Sequence, residues 1–155
     1  MELDELKKEY EKLGRKYKLP SFSALNEDFE IDKIDRETDC LLRLIRKIVM
    51  EKIVNSISFL DMILNPINAP RIYMGYLKSL NGDDKVKIDK IYDALSELSL
   101  YSLDLEIDYS EKDEAELIAK ICRVWNSMKP NFRAILTSMK RPAVPSNKKE
   151  KSYFG

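Results

Sequence analysis

The stretch DRETDCLLRLIRKIVMEKIVNSISFLDMIL, Asp35 to Leu64, decides how this chain is read. It contains neither Gly nor Pro. Its apolar residues include Leu41, Leu42, Ile45, Ile48, Val49, Ile53, Ile57, Leu60, Ile63 and Leu64. They recur at spacings of three and four, the period of an α-helix. The polar stripe left over is narrow: Arg43, Lys47, Glu51, Asn55 and Ser58. So wide an apolar face calls for neighbours on several sides. The expectation is an all-α, single-domain helical bundle built around a long central helix, residues 35–64.

Composition agrees. A chain of 155 residues suits one domain with a sizeable core. With 4 Gly and 6 Pro there is little material for hairpins and tight turns. The 27 basic and 27 acidic residues cancel, so no overall field draws the protein to nucleic acid or to a membrane. The local balance is different. Gly82–Glu116 holds 12 acids against 4 bases, and Leu117–Gly155 holds 9 bases against 1 acid. Either consecutive helices pair through complementary charge, or the C-terminal part offers a basic surface to an anionic partner. Cys40 and Cys122 have no metal-type neighbours and read as buried free thiols. A charged N-terminus gives no signal-peptide pattern. Arg43, Arg46, Lys47, Glu51 and Lys52 bar the central helix from spanning a bilayer. The chain is read as cytosolic, and its Lys, Glu and Ile content hints at a thermophile.

Taken in order, residues 2–18 read as an amphipathic helix with Leu3, Leu6, Tyr10, Leu13 and Tyr17 inward, stopped by Pro20. Ser21 caps a short helix. Asp32 or Asp35 is expected to cap the central helix, which Asn65-Pro66 ends. A short helix follows and stops at Asn81-Gly82. Another begins at Asp83 or Asp84, with Ile88, Ile91, Leu95 and Leu98 inward. Ser110 opens a last long helix that Pro130 kinks or breaks. Residues 1–140 form the helical domain, and 141–155 form a basic, flexible tail.

The chain also resembles itself. DFEID at Asp28–Asp32 matches DLEID at Asp104–Asp108, an offset of 76. At that offset LLRLIRKI from Leu41 meets LIAKICRV from Leu117, and Pro66 meets Pro142. One reading is a degenerate two-fold repeat. The other is that acidic alternation before a capped helix arises easily twice. If the repeat holds, FEID and LEID can pair as a minor two-stranded ribbon over two long helices.

The chemistry is bounded by an absence: the sequence has no His. That removes Ser-His-Asp and Cys-His catalysis and most zinc or haem ligation. Neither G-x-x-x-x-G-K-[ST] nor G-x-G-x-x-G occurs. Glu27/Glu30 and Glu111/Glu114 have the spacing of a carboxylate magnesium site, but the same acids suit the first turns of helices. No catalytic, cofactor or metal residue is assigned, and no cofactor is expected. For partner binding the candidates are Arg43, Arg46 and Lys47 on the central helix, and Lys148, Lys149, Lys151, Tyr153 and Phe154 in the tail. The leading expectation is a non-enzymatic helical adaptor or accessory subunit that binds protein, self-association included, with no membrane partner. The alternatives are a nucleic-acid accessory protein using the basic C-terminal segment, and a magnesium-dependent enzyme with a carboxylate-only site.

Overall fold

In a computed structural model, which describes residues 1–35 and 37–141, six α-helices carry the chain. They are α1 (Leu3–Tyr17), α2 (Phe22–Phe29), α3 (Leu41–Leu64), α4 (Met74–Leu77), α5 (Gly82–Ile107) and α6 (Glu111–Lys140). Short 3-10 turns join them at Ile31–Lys33, Pro66–Asn68 and Arg71–Tyr73. No strand occurs among the described residues.

The three long helices α3, α5 and α6 pack on one another and form the body of the bundle. Side-chain pairings set their directions. Arg46 meets Glu114 near the start of α3 and α6, and Phe59 meets Phe132 further along both, so these two run parallel. Asp84 near the start of α5 meets Ser138 near the end of α6, so α5 runs against them. One end of the bundle therefore holds the starts of α3 and α6 and the end of α5. The opposite end holds the Asn65–Asn81 connector and the end of α6.

The wide apolar face of α3 has the neighbours it requires. Leu42, Ile45, Val49, Ile53 and Leu60 are almost fully buried, against Ile88, Ile91, Leu95 and Leu98 of α5 and Ile118, Ile121 and Ile135 of α6 in one continuous core. α1 and α2 cover one side. Tyr10 is buried against Phe22 and donates from its hydroxyl to the Pro20 carbonyl at 2.6 Å. Phe29 of α2 packs on Trp125 of α6.

Several boundaries differ from the sequence expectation. The central helix starts at Leu41, not Asp35, and its N-cap is Cys40 rather than either aspartate. Asn81-Gly82 does not stop a helix. Asn81 caps α5, its side chain accepting from the Asp84 N–H while Asp84 accepts from the Asn81 N–H. Pro130 does not break α6, which runs unbroken from Glu111 to Lys140. The ring lies on the exposed face, where water can satisfy the carbonyl that loses its N–H partner. The ribbon is absent. Phe29 ends α2, Ile31–Lys33 is a 3-10 turn, and Leu105–Ile107 is the last turn of α5. Acidic alternation over Asp104–Asp108 does not outweigh the helical pattern running into it from Leu95 and Leu98. At the offset of 76, α3 and α6 end together at Leu64 and Lys140, and Leu41, Leu42, Ile45 and Val49 are buried as are Leu117, Ile118, Ile121 and Trp125.

Ser21 and Ser110 cap α2 and α6 as the sequence implies, each side-chain oxygen accepting from the backbone N–H three residues on. Asn81→Ala is expected to lower stability by about 1 kcal/mol through loss of the α5 cap. Asp35→Ala should leave stability unchanged, because Asp35 caps nothing. Urea unfolding followed by circular dichroism measures both.

Candidate functional site

Two features of the bundle compete for a functional role, a buried charge cluster and an exposed apolar stripe. Both belong to the end where α3 and α6 begin.

The cluster is centred on Arg46. Helical spacing places it beside Leu42, Ile45 and Val49, on the buried side of α3, and the residue is only 1% exposed. Its Nε donates to Glu114 Oε2 of α6 at 2.5 Å, and Nη2 donates to Glu114 Oε1 at 3.2 Å. Its Nη1 donates to Ser102 Oγ of α5 at 2.7 Å, and Nη2 also reaches Glu106 Oε1 at 2.8 Å. Every nitrogen of the planar fork is used. Glu106 further holds Arg43 at 3.2 Å and Lys47 at 3.7 Å. Burial opposes the Arg46 charge, but its bonds to Glu114 and Glu106 outweigh that and raise its pKa. Glu106 is held below its ordinary pKa, first by Arg46, against some desolvation, and then by Arg43 and Lys47.

This arrangement departs from the expected accessible basic face. Arg43, Arg46 and Lys47 do come together, but around Glu106. Arg46 faces the interior, where a partner cannot reach it. Lys148, Lys149, Lys151, Tyr153 and Phe154 lie outside the described residues. The cluster offers no nucleophile beside a base and no vacant donor set. What it can do is tie three helices together.

The paired carboxylates are separated by their own partners. Glu111 accepts from the Tyr17 hydroxyl at 2.6 Å and from Lys16 at 3.2 Å, which together lower its pKa, Tyr17 most. Glu114 faces the other way, onto Arg46. Glu27 and Glu30 line an open groove between α2 and α3, floored by Phe29, Ile48, Phe59 and Phe132. Among the described residues no three Cys, Asp or Glu converge as metal ligands. Cys122 is a buried free thiol, as the sequence suggested, pushed up to about 11 by burial and then by Asp28. Cys40 is also free but only half-buried.

Sequence reasoning missed the second feature. α5 buries Ile88, Ile91, Leu95, Leu98, Ser102 and Leu105 along one face. On the far face Leu100 is 66% exposed, Leu103 58% and Ile107 85%. These three sit at i, i+3 and i+7, one continuous outward stripe. Tyr101 and Tyr109 beside it are also exposed. The acids Asp93, Asp104 and Asp108 are exposed along α5 and just past its end, and α5 carries no base after Lys90. The signal was present as surplus: α5 has more apolar residues than its inward face can use. Reading DLEID as acidic alternation concealed it.

Among the described residues, the fold and these two features define an all-α bundle whose α5 carries an exposed apolar stripe. No family model, curated protein or solved structure matches the chain.

Removing Arg46 alone leaves the buried Glu114 carboxyl without its partner. Arg46→Met is expected to destabilise by about 3–5 kcal/mol, whereas Arg46→Met with Glu114→Leu should recover most of that loss. Urea midpoints of the two variants decide. The pH dependence has a definite sign. Glu106 binds protons less readily folded than unfolded. It therefore favours the fold above the ordinary glutamate pKa of about 4.3, and the advantage is lost as pH falls through the lower folded value. Glu106→Gln should flatten this acid limb. The effect is small, because the Glu106 side chain is 38% exposed.

Proposed function

We propose that this protein is a non-enzymatic helical adaptor that binds a partner protein through the outward face of α5. The observation that carries the reading is the stripe Leu100, Leu103 and Ile107, left in water on a helix that already buries its opposite face. Isolated exposed apolar residues are ordinary, but three in helical register form a seam that another helix can cover. The chemistry of the occupant follows from the flanks. Asp93, Asp104 and Asp108 suit a partner helix with an apolar seam and Lys or Arg beside it. An antiparallel pairing of α5 with α5 of a second copy would set these acids against their counterparts. The absence of His and of a phosphate-binding loop supports a binding role over catalysis.

The Arg46 cluster supports the same reading from behind. Ser102 and Glu106 alternate along α5 with Leu103 and Ile107, so the guanidinium that grips them also holds the stripe in place. A rigid helix face loses little conformational freedom on binding.

The test uses a helical peptide with Leu at i, i+3 and i+7 and Lys flanks, titrated against the full chain by calorimetry. Binding is expected, at least tenfold weaker for the same peptide with Glu flanks. Leu103→Lys with Ile107→Lys should abolish it without lowering the melting temperature, since both residues are exposed. Equal binding by wild type and double variant, or no binding by either, overturns the proposal.

A further inference from the structure

The end of the bundle away from the α5 stripe has a different character, and it carries a separate inference. From Met62 to Gly82 the chain has no acid, and its only charges are Arg71 and Lys78, both exposed. This connector also leaves large apolar groups in water: Ile67 is 95% exposed, Ile72 74% and Tyr76 46%. Tyr73 packs against Tyr76. The 3-10 turns and the short α4 bury Leu77 in the core, so the connector is anchored while its isoleucines project.

The end of α6 lies against the same connector. Ser79 Oγ donates to the Arg141 carbonyl at 3.1 Å. Arg133, Lys140 and Arg141 are exposed on the last turns of α6 and at its end. Beyond them the sequence adds Lys148, Lys149 and Lys151 against one acid, Glu150, and closes on Tyr153 and Phe154. Zero net charge over the whole chain hides an excess of bases at this end, where Arg71, Lys78, Arg133, Lys140 and Arg141 are exposed. Asp61, Asp83 and Asp89 are exposed near the connector, Asp89 lining a small pocket with Leu77 and Leu80, and Asp84 is buried, accepting from Asn81 and Ser138.

We propose that this end of the bundle docks on an anionic lipid surface, with Ile67, Ile72 and Tyr76 entering the headgroup region and Arg71, Lys78, Lys140 and Arg141 meeting the lipid charge. Apolar tips on a connector that itself carries only bases fit the boundary between headgroups and acyl chains. A second copy of the chain would bring two basic ends together. Nucleic acid would use the bases but has no use for bare isoleucines, since its contacts are to phosphates, base edges and stacked rings. The association is peripheral, and no described helix is long and apolar enough to cross a membrane. It is independent of the α5 interaction, which occupies the other end.

Flotation of the full chain with vesicles tests this. The protein should float with phosphatidylcholine vesicles containing about 30 mol% phosphatidylserine and not with phosphatidylcholine alone. Raising salt to about 0.5 M should reduce binding at least tenfold. Ile67→Ser with Ile72→Ser removes two exposed side chains and leaves the core intact, which circular dichroism checks. It should cut vesicle binding at least tenfold and leave any retention by duplex DNA unchanged. Three results overturn the proposal: no flotation with anionic vesicles, equal flotation with neutral ones, or a double-serine variant that binds like wild type. The last would mark a general polyanion surface, nucleic acid included.

Discussion

The Arg46 guanidinium lies where α3, α5 and α6 meet, and its hydrogen bonds are complete only while all three helices hold their positions. Apolar contacts tolerate sliding, because one Leu or Ile can replace another at small cost. A buried fork bound to Glu114, Ser102 and Glu106 does not. A slip of one turn would leave the buried Glu114 carboxyl with no partner in the interior. The cluster thus selects one register from the several that the apolar faces alone would permit, including the parallel course of α3 and α6.

That constraint gives the surface its organisation. Because α5 is held by Ser102 and Glu106, Leu103 and Ile107 must point away from the body of the bundle. At the far end the Asp84–Ser138 bond and the contact of Ser79 with Arg141 fix the end of α6 beside the connector. The two ends then carry different chemistry, an apolar stripe among acids at one and apolar tips among bases at the other. An adaptor that brings a protein partner to an anionic surface would need this separation along one rigid axis.

Much of the fold was legible. Leu42, Ile45, Val49, Ile53 and Leu60 follow helical spacing so closely that α3 and its burial could be read directly. Ser21 and Ser110 were legible as caps, since a cap is a contact over three residues. Asn81 was misread because the same residue type serves at either end of a helix, and only the chain direction around it decides. DLEID was misread because acidic alternation fits a strand and a helix end alike. The candidate site was hardly legible. Arg46 looks no different in sequence from Arg43, three residues earlier, yet one is buried and the other reaches the surface.

The sequence by itself determined the helical content, the long central helix and the absence of imidazole chemistry, because these depend on spacing along a single chain and on which side chains exist at all. Only the tertiary structure decided which charges face inward and which apolar residues remain in water. Both depend on which neighbour covers a given helix face. Glu114 lies 68 positions from Arg46 in sequence, and no local pattern specifies that the two will share a hydrogen bond.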